Sequence, residues 1–178
     1  MSELTQLFAF GIVYVVIVLV LAAAVYVWIS FVTYRALQSA KYEKAWMAWI
    51  PYARNYALAD VTKDEGDKTR VLNAFEVPNW CYQFYWVIPL VLAFVGLPSG
   101  LEWILNIACS VIFAGTIYTK LYAWHDKVSE DDKRTLGIVS GIFPIVYLVI
   151  LSGWKAEDTI ERPAKIDVVD APENNDAN

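Results

Sequence analysis

Between Glu3 and Arg35 the chain carries no charged residue, and the stretch FAFGIVYVVIVLVLAAAVYVWISFV inside that interval is almost wholly apolar. About 20 apolar residues in a helix cross a bilayer core, so this run is long enough to cross with tilt or overhang. A cleaved leader is a poor reading of it: no basic residue precedes it, the apolar run is too long, and no persuasive small-residue cleavage site follows. The rest of the composition agrees. The chain is 58% hydrophobic and 15% aromatic, where a soluble domain has about 45–50% apolar residues.

Three further uncharged runs follow. VPNWCYQFYWVIPLVLAFVGLPSGL lies between Glu76 and Glu102, WILNIACSVIFAGTIYT between Glu102 and Lys120, and TLGIVSGIFPIVYLVILSGW between Arg134 and Lys155. Backbone amides and carbonyls have no partners in lipid, so each run is expected to be a helix. The expected fold is an all-α integral membrane protein with four transmembrane helices, at about 7–34, 80–97, 102–124 and 136–154. An interfacial or Pro-broken helix follows the first span. Pro89 is expected to kink the second span, and GLPSG at 96–100 reads as a tight turn.

Lysine and arginine set the orientation. None precedes the first span, and none lies in the 96–100 turn. Arg35, Lys41, Lys44, Arg54, Lys63, Lys68 and Arg70 follow the first span, and Lys127, Lys133 and Arg134 follow the third. Both termini of this multi-pass cell-membrane protein are therefore expected outside, with the two charged connections in the cytoplasm. After residue 156 the chain is acidic and poor in aromatics, and a disordered tail is expected at 157–178.

The segment KAWMAWIPYARNYALAD, residues 44–60, mixes aromatics with Lys44, Arg54 and Asp60. At 100° per residue Trp46, Trp49, Ile50, Ala53, Tyr56 and Ala57 share a face, while Pro51 forbids one continuous helix. A short turn over 46–50, then a helix with Pro51 at its first position, resolves the conflict. The segment reads as an interfacial helix, as a re-entrant broken helix, or as a ligand site. Trp46, Trp49, Tyr52, Tyr56, Trp80 and Trp124 are the candidate membrane-interface anchors, because their rings are apolar with one polar atom each. If a second short helix starts near Pro51, Arg54 and Asp60 must find partners or water. The excursion at 61–79 reads as a solvated KDEGDK turn followed by TRVLNAFEV, one or two helical turns.

In the third span Glu102, Asn106, Cys109, Ser110, Phe113, Thr116 and Lys120 share about a third of the helix circumference. The polar members, Glu102, Asn106, Ser110, Thr116 and Lys120, form a candidate stripe that must face protein or water. It lines a solute route or forms a packing seam. Other chemistry is scarce. His125 is the single histidine, which rules out a two-histidine metal site in one chain. HDKVSEDDKR at 125–134 has no calcium-loop pattern, and Cys81 and Cys109 read as free thiols. No HExxH, GxSxG or glycine-rich phosphate loop occurs. No enzyme activity and no cofactor are expected. A nucleic-acid face is not expected either, since no basic patch is present.

The order of motifs resembles a small prokaryotic multi-span membrane family of unknown function, sometimes labelled signal-peptidase-like. The resemblance covers about 35–156 and rests on Ala40, Trp46, Ala48, Ile50 and Pro51, on Trp86, Ile88 and Pro89, and on Gly137, Gly141, Pro144, Gly153 and Trp154. The chain departs from that family in carrying Ala53 and Arg54 where a tyrosine–asparagine pair is usual, and in a longer 61–80 loop. The resemblance implies a fold and no reaction. Two functions fit these readings. One is a non-enzymatic scaffold or accessory subunit that partners the lipid bilayer and other membrane proteins or its own copies. The other is an oligomeric channel or small-solute transporter using the third-span stripe.

Overall fold

A computed structural model describes residues 3–124 and 128–153. The tail expected at 157–178, with His125, Asp126 and Trp154, lies outside the described residues.

Helix α1 (Glu3–Ser39) is 37 residues long, roughly 55 Å at 1.5 Å per residue. No proline interrupts it. It ends where Lys41 adopts φ +54°, and the amides of Lys41 and Tyr42 return to the carbonyls of Gln38 and Leu37 at 2.9 Å. That pair of closing bonds is a Schellman cap with lysine at the left-handed position. Its two halves differ. Residues 10–28 are almost all exposed, whereas Ser30, Val32, Thr33, Ala36 and Leu37 are buried against the rest of the fold.

The chain then turns back on α1. A 3₁₀ turn (Ala45–Trp49) buries Ala45 and Ala48, and α2 (Ala53–Thr62) buries Ala57, Leu58, Ala59, Val61 and Thr62. Small side chains let both pieces approach closely. At the near end the Tyr42 hydroxyl donates to Asp60 Oδ2 at 2.8 Å. At the far end the Tyr26 hydroxyl donates to the Trp49 carbonyl. Tyr26 stands about 20 Å along the axis from Ser39, and α2 from Ala53 to Asp60 spans about 10 Å. Residues 44–60 therefore form a helical hairpin that runs back along α1 by some 10–20 Å and returns.

A cap follows. Strands β1 (Lys68–Val71) and β2 (Phe75–Pro78) pair antiparallel, with Thr69 opposite Val77 and Arg70 opposite Glu76. This corrects the all-helical expectation, which gave TRVLNAFEV helical turns. Thr69, Val71 and Val77 favour a strand, and Leu72 and Asn73 both take positive φ to close the tight turn. Thr69 and Val71 are fully buried, so the hairpin has one inward face.

The remaining helices are α3 (Asn79–Gln83), α4 (Val87–Val95), α5 (Ser99–Cys109), α6 (Gly115–Ala123), α7 (Glu130–Ile142) and α8 (Pro144–Ser152). A π-helical segment, Ser110–Ala114, joins α5 to α6, so that Ser99–Ala123 is one continuous rod of 25 residues. The fold is mostly helical. Among the described residues two helices are long and apolar enough to cross a membrane, Phe10–Ser39 and Ser99–Ala123.

The other two expected spans are each broken into shorter pieces. Proline lacks an amide hydrogen and clashes with the carbonyl four residues earlier. Pro89 therefore does not kink a continuous α-helix: turns with i→i+3 bonds interrupt it at 84–86 and α-helix restarts at Val87, which places Pro89 in a first turn. Likewise α7 stops at Ile142, Phe143 is extended at φ −118°, ψ 92°, and Pro144 opens α8. Helix α7 packs on α6 through glycine. A Cβ at Gly137 would lie 2.0 Å from Thr119 Oγ1, and one at Gly141 would lie 2.9 Å from the Gly115 amide nitrogen. Tyr147, beyond the Phe143 break, stacks on Tyr118 at 4.5 Å. Were α8 to continue the line of α7, Tyr147 would lie on the order of 13 Å away from Tyr118 along the α6 axis. Helix α8 therefore bends away from that line.

Candidate functional site

Four irregularities meet at one level of the fold. Two are the breaks before Pro89 and at Phe143–Pro144, and the third is the π segment 110–114. The fourth is the tip of the 44–60 hairpin. There the Ala53 amide closes on the Pro51 carbonyl at 2.8 Å while Tyr52 takes φ 66°, ψ −43°. This is a γ-turn of the rare, strained hand. The second helix of the hairpin thus begins at Ala53, two residues after the position expected from Pro51.

Between these breaks lies a cavity of about 480 Å³. The hairpin contributes Tyr52, Arg54 and Asn55, the α3–α4 region Tyr85, Trp86 and Pro89, the long rod Asn106, Cys109, Ser110 and Tyr118, and α7–α8 Ser140, Gly141, Pro144 and Tyr147. The proline breaks account for part of its polarity. A helix running through Tyr85 would bond its carbonyl to residue 89, which as proline has no hydrogen to give. That carbonyl instead accepts from the Ile88 amide at 3.0 Å, a tighter i→i+3 bond, with Cys109 Sγ a further 4.0 Å contact. The Gly141 carbonyl, just ahead of the second break, accepts from Ser110 Oγ at 2.6 Å.

Not all of the lining is satisfied. Among the described residues four buried side-chain polar atoms lack a hydrogen-bond partner, and three of them belong to residues lining the cavity: Arg54 Nη1, Trp86 Nε1 and Asn106 Oδ1. The Arg54 guanidinium sits 5.9 Å from the centre of the Tyr26 ring. Among the described residues it makes no ion pair, and no aspartate or glutamate lines the cavity. Asp60, the other charge of the hairpin that needed partners, has three: Tyr42, Lys63 at 2.7 Å and Gln83 at 2.6 Å. Burial pushes its carboxyl up, but hydrogen bonds from Lys63, Tyr42 and Gln83 outweigh that and hold it below the usual carboxylate range. Burial and the Asp60 carboxylate together raise the Tyr42 phenol well above its ordinary value.

The candidate stripe divides in two. Asn106 and Ser110 line the cavity. Thr116 and Lys120 instead hold the cap: the Leu72 amide donates to Thr116 Oγ1 at 3.1 Å, and Lys120 Nζ meets Asp64 Oδ1 at 2.7 Å. Asp64 in turn accepts from the Arg70 amide at 2.8 Å. Glu102 lies half-buried in the first turn of α5 and outside the cavity lining. Of the candidate anchors, Trp46, Trp49, Tyr52 and Trp80 are exposed. Tyr56 packs on Phe84 at 5.4 Å, Tyr52 on Trp86 at 5.3 Å, and Trp124 is half-buried at the end of α6. Cys81 and Cys109 are free thiols. Among the described residues no group of three or more histidine, cysteine, aspartate or glutamate side chains is placed to hold a metal.

Arg54, Trp86 and Tyr52 had no place in the sequence reading as residues of one site. The available signal was Pro51, Pro89 and Pro144, each inside an otherwise helical apolar pattern, because broken helices at membrane depth are tolerated where they line a cavity. No protein-family model, no curated protein and no solved structure matches the chain.

Proposed function

We propose that this chain is a non-enzymatic, multi-pass membrane protein whose working part is the cavity between its broken helices, where it binds or passes a small ligand. The observation that carries the reading is the convergence of four backbone irregularities on a cavity with three unpaired polar atoms. Irregular backbone and unpaired buried polar groups are both costly, and at membrane depth they accompany solute sites. This favours the binding and transport alternative over a purely structural role.

Cys109 provides the test. In C81S protein in native membranes, methyl methanethiosulfonate is expected to modify Cys109 without denaturant. Modification only after unfolding would sink the reading.

In the proposed topology the basic connections at 35–79 and 124–134 are cytoplasmic and the N-terminus lies outside; the expected outside placement of the C-terminus has the bend of α8 against it, since Tyr147 stacks back on Tyr118. On a cysteine-free background G66C is expected to label only from the inside. Labelling of G66C from outside intact cells would invert the topology. The resemblance over 35–156 implies a multi-span arrangement and adds no chemistry.

The accessory-subunit reading keeps one observation of its own. The most apolar window of α1 has none of its residues buried, so a face of that helix is free for lipid or for another membrane helix. A photocrosslinker at Leu19 that captures only lipid in native membranes would remove that support.

A further inference from the structure

We infer that the cavity is an anion site, in which Arg54 holds the carboxylate or phosphate group of an amphipathic ligand. The inference rests on the cavity reading and adds the charge and shape of what enters. A guanidinium is costly to desolvate unless a counter-charge and hydrogen-bond acceptors replace its water. Here Nη1 of Arg54 is buried and unbonded, the guanidinium lies 5.9 Å from the centre of the Tyr26 ring, and the lining contains no acidic side chain. A second free donor, Trp86 Nε1, belongs to the same lining. Two free donors against one free acceptor, Asn106 Oδ1, favour a ligand rich in acceptors, and a guanidinium matches the paired oxygens of a carboxylate or phosphate.

The rest of the wall asks for a different chemistry. Ile29, Pro89, Leu90 and Pro144, with the rings of Tyr52 and Tyr147, are apolar surface. At about 480 Å³ the cavity has room for more than an ion. The anionic group can belong to a lipid or fatty acid entering from the bilayer, or to a free oxyanion entering from water. Both present the same oxygens to Arg54, and only the first uses the apolar wall. Asn106, whose oxygen lacks a partner, can serve a hydroxyl or amide next to the charged group.

The test uses the whole chain in dodecyl maltoside at pH 8, with three probes: sodium laurate, inorganic phosphate and dodecanol. Trp86 lines the cavity, so binding is read as the saturable change in tryptophan fluorescence that W86F removes. Laurate is expected to bind, dodecanol to bind at least 10-fold more weakly, and R54Q to weaken laurate by about 10–100-fold, the range of a charge-assisted hydrogen bond. R54K keeps the charge but loses the paired donors, and is expected to fall between wild type and R54Q. Response to laurate without phosphate assigns the anion to a lipid, and response to phosphate with none to laurate assigns it to a free oxyanion. Should R54Q fail to fold, the laurate-to-dodecanol ratio of the wild type decides alone. If dodecanol binds as tightly as laurate, the anion assignment is overturned and the cavity reading survives. If none of the three probes gives a saturable response, both fall.

Discussion

Asn106 and Lys120 lie on one face of one continuous helix, and the fold treats them in opposite ways. Lys120 is matched: its ammonium meets Asp64 at 2.7 Å, and the neighbouring Thr116 accepts the Leu72 amide. Asn106 is unmatched, with its amide oxygen buried and unbonded beside Arg54 and Trp86, themselves unbonded at one atom each. The lower half of the stripe is a docking seam for the β-hairpin cap, and the upper half is part of a cavity. Polarity along a membrane helix does not distinguish these roles. Whether the chain has already supplied a partner does.

The largest effect is expected from G137A, at the close approach of α7 to the same helical rod. Its Cβ would press on the Thr119 side chain and backbone, at 2.0–2.8 Å, and should cost about 1–3 kcal/mol. G100A, where nothing lies within 4 Å, is the control and should change stability by less than about 1 kcal/mol. Equal melting behaviour of the two variants in detergent would show that the glycine contact is not tight.

A second pair sharpens the contrast through the sign of its effect. K120M leaves Asp64 without its cation at a site where Lys120 is 21% exposed and Asp64 44%. A loss of about 1–2 kcal/mol is expected, below the cost of breaking a fully buried pair. N106L removes an unsatisfied buried acceptor and should be neutral or slightly stabilising, within about 1 kcal/mol, while abolishing ligand binding or flux. If denaturant titration finds N106L as destabilising as K120M, Asn106 belongs to the seam and the division of the stripe fails.

The smallest effect concerns Asp60 at the foot of the hairpin. Its folded-state carboxyl lies below the ordinary value. Its contribution is therefore fully present above the unfolded carboxylate pKa of about 4 and is lost as pH falls through the lowered folded value. D60N should flatten that acid limb of the stability profile and leave the curve above about pH 5 parallel to wild type. A D60N profile with an unchanged acid limb would assign the titration to another group.

Much of the helical frame was legible because an uncharged apolar run admits few alternatives. The first run is α1, and the third is the Ser99–Ala123 rod. What was not legible depends on residues distant in sequence. The division of the stripe is decided by Asp64 and Leu72, 56 and 44 residues away from Lys120 and Thr116. Arg54 lies to one side of the helix wheel, and nothing in that wheel shows that Tyr85, Trp86, Asn106 and Tyr147 surround the same space. The β-hairpin was missed because Leu72 and Asn73 carry no glycine signal for a tight turn, and the amide of Leu72 is held by Thr116 from another element. Pro89 and Pro144 were read as kinks or motif members. Their consequence, two helices restarted beside one cavity, needed the third dimension.

The hairpin at 44–60 also constrains how the molecule is assembled. Its tip is flanked on one side by α1, through Tyr26 and Trp49, and on another by Trp86 against Tyr52. During synthesis the first wall precedes the hairpin and the second follows it by some thirty residues. On the proposed topology the hairpin emerges before its niche is complete, and it can enter only once the later helices have arrived. Until then its refuge is the headgroup layer, which suits Trp46, Trp49 and Tyr52, all still exposed in the finished fold. The aromatic residues of this segment thus serve a nascent chain waiting at the membrane surface, as well as the mature protein.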